Sequence, residues 1–146
     1  MKKKWFNLAL LFFSSCNQVE THNTLTNDDI KYIQSLGLLD RDEKIHRFYS
    51  EFKKRNAGSF FTDKRIAKYW IDEREEDRNE LSFAFYPDIK SIDTVYYAGL
   101  TYCPYMRVTK LDSTQFDVYV DGKREEIKYF FEEALNIWKQ HRSDNQ

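Results

Sequence analysis

Cysteine, glycine and proline are scarce: two, four and two residues in a chain of 146. Two cysteines cannot build the multi-bridge framework that holds very small extracellular domains together. So few glycines and prolines exclude a collagen-like, linker-rich or low-complexity chain. No apolar run reaches the roughly 20 residues that a spanning helix needs. The three histidines, at 22, 46 and 141, have no metal-ligand spacing. A His-Glu-x-x-His pair, a Gly-rich phosphate loop and a Gly-x-Ser-x-Gly elbow are all missing. No nucleophile–base or acid–base pair can be named, so the chain reads as a non-enzyme that needs neither cofactor nor metal. Charge of one sign is lacking too: 23 Lys+Arg stand against 24 Asp+Glu, a formal net charge of −1. The domain therefore has no overall pull on nucleic acid, and none is expected as a partner.

Aromatic residues are abundant. The chain holds 12 Phe, 10 Tyr and 3 Trp, 17% of its length. Each one buried removes roughly 150–250 Å² from water, so a substantial core is available to one domain. The aromatics concentrate around 59–71, where two apolar arms flank the polar turn Thr62-Asp63-Lys64. That pattern predicts a β-hairpin, with the Thr62 or Asp63 side chain satisfying turn N–H groups.

The N-terminus reads as an address. Lys2-Lys3-Lys4 precede an apolar stretch over 5–13 that only Asn7 interrupts, and Ser14-Ser15 lead to Cys16. This is an export leader, residues 1–15. The small-small-Cys boundary resembles the lipobox of bacterial lipoproteins, with Phe13 where leucine is usual. The resemblance implies cleavage before Cys16, a diacylglycerol on its thiol, and an exported protein lipid-anchored in the cell envelope. An ordinary secretory leader, with Cys16 free or paired to Cys103, is the other reading. Residues 16–25 follow as the lipidated cysteine and a polar tether.

Thr26 or Asn27 can cap a short helix in the unit 26–38. Asp28 and Asp29 suit its first turn, Ile30, Ile33 and Leu36 line one face, and Gly37 stops it. Seven strand-like segments follow, at about 44–52, 58–61, 65–72, 81–86, 91–97, 105–111 and 115–120. Alternation is clean in Leu81-Ser82-Phe83-Ala84-Phe85 and in Phe116-Asp117-Val118-Tyr119-Val120. A last helix, with Asp121 as its cap, carries Ile127, Phe130, Phe131, Ala134, Leu135 and Trp138 on one stripe and must cover the inside of the sheet.

Seven antiparallel strands and a C-terminal amphipathic helix resemble the pleckstrin-homology-like fold, and more narrowly small bacterial PH-like or GRAM-like domains. Glu43-Lys44-Ile45, Phe60-Phe61-Thr62-Asp63-Lys64-Arg65-Ile66 and Tyr86-Pro87-Asp88-Ile89-Lys90-Ser91-Ile92 carry the resemblance. It implies a mainly β domain over 39–146, a seven-stranded barrel capped by the last helix, with a short leading helix. It also implies a binding or scaffolding module, with a protein or peptide partner first. The second reading is recognition of anionic lipid head groups by Lys53, Lys54 and Arg55, in the loop after strand one, with Lys64 from the hairpin and Arg65 and Lys68 nearby. The charge run over 72–80 is a solvated loop. Cys103 is a structural thiol rather than a nucleophile.

Replacing the anchoring thiol, Cys16→Ala, is expected to abolish membrane association. The check is fractionation after carbonate washing, where the variant should leave the membrane pellet.

Overall fold

The structure, a computed structural model, describes residues 18–97, 99 and 103–144. The leader and Cys16 lie outside the described residues. Two helices and seven strands follow in the order α1 (Asn27–Ser35), β1 (Ile45–Tyr49), β2 (Ala57–Thr62), β3 (Arg65–Trp70), β4 (Glu80–Phe85), β5 (Ile89–Val95), β6 (Tyr105–Lys110), β7 (Gln115–Tyr119) and α2 (Arg124–Ser143). All strand pairs are antiparallel. They form a four-stranded sheet, β1-β2-β3-β4, and a three-stranded sheet, β5-β6-β7.

The expected closed barrel does not form. Between β4 and β5 the chain makes a 3₁₀ turn at Tyr86–Asp88, where Pro87 offers no N–H and the buried Tyr86 ring anchors the bend. At the other edge, β1 is already occupied. Glu20 and Phe48 exchange both backbone hydrogen bonds (2.7 and 2.8 Å), and the His22 N–H donates to the Ile45 carbonyl. Residues 20–22, read from sequence as tether, thus form a strap along β1, and the Thr24 and Leu25 N–H groups then turn back to the Thr21 carbonyl. Leu25 is buried, and the Ile45 N–H donates to His22 Nδ1.

The strand periodicity divides each residue set between two cores. On the inner face of the larger sheet, Tyr49, Phe61, Ile66 and Ala84 meet the smaller sheet and α2. Phe130 packs edge-on against Phe61, with ring centroids 5.0 Å apart. On the outer face, Ile45, Phe48, Phe60, Ala67 and Tyr69 pack under Ile33, Leu38 and Leu39. So α1 does not close a barrel; it roofs the outer face of the sheet. Thr26 caps it through a reciprocal capping box with Asp29. Gly37 leaves it at φ +73°, a conformation glycine adopts without steric cost. Gly58 lets the Tyr69 and Phe48 rings pack against β2, because a Cβ there would lie 2.4 Å from Tyr69 Cε1 and 2.8 Å from Phe48 Cε2.

The α2 stripe packs as its spacing predicts, with Ile127, Phe130, Phe131, Ala134 and Trp138 buried. Its N-cap is Lys123 rather than Asp121, whose carboxylate instead accepts from the Gly122 N–H. The far end of α2 reaches the β2–β3 turn. There His141 hydrogen-bonds the Asp63 carbonyl at 2.9 Å and stacks on Tyr86.

One charged pair is buried in the outer layer. The Arg65 fork donates to both oxygens of Glu43 (2.9 and 2.7 Å), and both side chains are almost wholly enclosed. The Thr62 hydroxyl and the Asp40 N–H also donate to Glu43. Cutting one partner leaves the other charge buried and uncompensated, at a cost of roughly 3–5 kcal/mol. Glu43→Ala is accordingly expected to lower the urea midpoint strongly, whereas a paired Glu43→Leu/Arg65→Met variant should recover most of that loss.

Candidate functional site

The roof over the larger sheet stops short of its last strand. A helix is about 10–12 Å across and strands sit about 4.8 Å apart, so α1 covers two to three strands. The outer face of β4 is left bare. Register places Leu81 opposite Tyr69, Phe83 opposite Ala67 and Phe85 opposite Arg65, all on this face. Leu81 is 48% exposed, Phe83 38% and Phe85 36%. The alternation in this strand is as clean as the sequence suggests, but its sense is unusual. The small residues Ser82 and Ala84 face inward, and the large ones face out. Arg65 holds the row in place, its guanidinium 4.5 Å from the Phe85 ring centre and 5.3 Å from that of Phe83. Phe83 and Phe85 meet edge to face at 5.5 Å.

The free long edge of β4 is also bare. Its ladder runs to β3, and no backbone hydrogen bond from β4 to another strand occurs among the described residues. One open cleft runs along it toward β7, and a second, lined mostly by β1 to β3, touches it at Glu80 alone. The first, about 400 Å³, is lined by Leu81 to Phe85, Asp88, Lys110, Thr114, Gln115 and Phe116. The second, about 310 Å³, lies at the Glu80 end and reaches Tyr119 of β7. An unpaired edge, a row of aromatics and adjoining space are the features an extended segment needs to add as a further strand.

The cations expected to gather at a head group are not brought together. Lys53 to Arg55 lie in the β1–β2 loop, whereas Lys64 lies in the β2–β3 turn at the opposite end of β2. Six residues of strand separate them by roughly 17 Å. Each cation also has a partner within the chain. The Lys54 ammonium bridges Glu20 of the strap (2.7 Å) and Asp29 of α1 (3.2 Å). Arg55 lies 4.6 Å over the Tyr32 ring, and Lys53 lies 5.7 Å over Phe52. Lys64 pairs with Asp42 at 3.0 Å, and Lys68 with Glu80 at 3.1 Å. Arg65 is the buried partner of Glu43. The charge run over 72–80 turns on itself, with Asp72 accepting the N–H groups of Arg74 and Glu75. Burial pushes the Cys103 thiol up, with Asp121 and Glu51 adding to it, which disfavours the thiolate. No cluster of potential metal ligands occurs among the described residues.

The β1–β2 loop is thus a clasp for the N-terminal strap. Tyr32 and Tyr69 donate their hydroxyls to the Arg55 and Lys54 carbonyls, which fixes the loop between α1 and the sheet. Burial lifts the Tyr69 phenol well above its usual range, so it stays a donor. For Asp29, burial acts to raise the carboxyl. The Thr26 backbone and hydroxyl and the Lys54 ammonium outweigh it, and the carboxyl lies below 3.8. A carboxyl depressed on folding stabilises the fold above its unfolded value and loses that contribution as pH falls through the folded one. Amide protection in the strap and in the first turn of α1 is therefore expected to drop on acidification below 3.8. In Asp29→Asn this acid step should flatten, as read by hydrogen exchange across the pH series.

No family model matches the chain, and no curated protein matches it. Among solved structures, the chain is similar to a DUF1696 family protein with a pleckstrin-homology domain from Shewanella loihica PV-4. The two are 12% identical, the match covers 78% of this chain and 97% of the other, and the TM-score is 0.47.

Proposed function

We propose that the chain is an envelope-anchored, PH-like binding module that takes an extended peptide segment of a protein partner along β4. The observation that supports this most directly is the bare outer edge of β4 with Leu81, Phe83 and Phe85 exposed beside it. An incoming strand satisfies the open backbone groups of β4 and covers alternate side chains, so apolar residues at every second position suit it. Lys110 and Asp88 at the cleft rim fix direction rather than affinity. The four-plus-three division of the strands and the C-terminal helix accord with the PH-like reading, and a leader over 1–15 followed by Cys16 accords with an anchor. Head-group recognition by Lys53, Lys54, Arg55 and Lys64 is the weaker reading, since those cations already have partners and lie at two ends of the sheet.

The test is selection of linear peptides from a displayed library on the full chain, followed by hydrogen exchange of the complexes. Selected peptides should alternate apolar and polar residues and protect β4 amides. Fully burying a Phe side chain is worth roughly 1.5–3 kcal/mol, and Phe83 has 38% of its surface left to bury, so Phe83→Lys should weaken binding by at least about 3- to 7-fold. Phe83 is 38% exposed and lies against the Arg65 guanidinium, so the variant should melt somewhat lower, and its binding is compared at a temperature where circular dichroism shows it folded. Peptides that bind Phe83→Lys equally, or that protect another strand, would remove β4 from consideration.

A further inference from the structure

The strap runs antiparallel to β1, so toward its N-terminus it heads for the β1–β2 loop. Glu20 lies opposite Phe48, and Lys54 of that loop grips its carboxylate. Cys16 stands four residues before Glu20. Four residues of chain reach at most about 14 Å. A lipid on Cys16 therefore keeps this end of the domain within about 14 Å of the bilayer surface.

The end so held presents apolar surface. Phe52 is 60% exposed and Trp70 is 40% exposed. With Ile71 they line one open groove of about 430 Å³. Asn56 braces the groove: its carbonyl accepts from the Ile71 N–H at 2.6 Å, and its side-chain amide donates to the Ile71 carbonyl at 3.2 Å. The β1–β2 loop and the end of β3 thus move as one platform. Charge around the groove is mixed, with Lys53 and Arg74 beside Asp72 and Glu73. Net charge therefore gives no reason for contact, whereas the exposed rings do. Tryptophan, with an apolar body and one polar N–H, settles at head-group depth.

We infer that Phe52 and Trp70 form a membrane-contact face, seated in the interfacial layer of the bilayer that holds the chain's own anchor. This rests on the anchoring half of the function proposed above. Zwitterionic phospholipid suffices, because the contact is apolar.

The full chain, expressed with its leader and purified from membranes, is reconstituted into phosphatidylcholine vesicles with plain or brominated acyl chains and floated on a gradient. The expected result is flotation together with loss of tryptophan emission in the brominated vesicles. That loss should vanish in Trp70→Phe and shrink in Phe52→Ala, since Trp5 leaves with the cleaved leader, as checked by the mass of the purified protein, and Trp138 is buried in the core. Flotation without a loss that Trp70→Phe removes overturns the contact face and leaves the anchor standing. Failure to float overturns the anchor and the contact face together. Quenching that requires anionic lipid and disappears in salt overturns the apolar contact in favour of the basic loop.

Discussion

Everything on the outer side of the larger sheet hangs on the ion pair of Glu43 and Arg65. One carboxylate accepts four donors from three places in the chain: two from the Arg65 fork, one from the Thr62 hydroxyl and one from the Asp40 amide. It fastens the linker after α1 to the β2–β3 turn. The opposite side of the same guanidinium lies against Phe83 and Phe85. A buried pair of this kind contributes little net stability compared with apolar residues of the same shape. What it supplies is a single arrangement, because the linker has no other place to satisfy Glu43. The roof and the bare strand beside it are therefore set by the same contact.

Much of this architecture is legible from residue order. The Thr62-Asp63-Lys64 turn behaves as its chemistry dictates, with the Thr62 hydroxyl accepting from the N–H groups of Lys64 and Arg65 and Asp63 accepting from Lys44. All seven strands and both helices lie where periodicity puts them, within a few residues. Local pattern could not give the sense of β4. With Leu81, Phe83 and Ala84 all apolar, alternation says that the strand has two faces, not which one a nine-residue helix is too narrow to cover. The strap was equally hidden. Glu20 and His22 bond to β1 through their backbone, and backbone pairing leaves no mark in side-chain hydropathy.

The basic triplet shows the same limit from the other side. In sequence, Lys53-Lys54-Arg55 looks like free charge. In the fold, Lys54 is consumed by Glu20 and Asp29, and Arg55 by the Tyr32 ring. Its partners lie 25 and 34 residues away, beyond any window that reads local composition. The two sheet edges then differ in kind. The β1 edge is sealed by the chain itself, and the β4 edge is left open among the described residues.

The strap also imposes an order of events. Glu20 leaves the ribosome well before Lys54, β1 and α1 exist to receive it. Glu20 and His22 consequently have no strand to pair with until β1 has been made, and they become a sheet element only when the domain closes on them. The edge of the larger sheet is thus closed last by the part of the described chain that is made first.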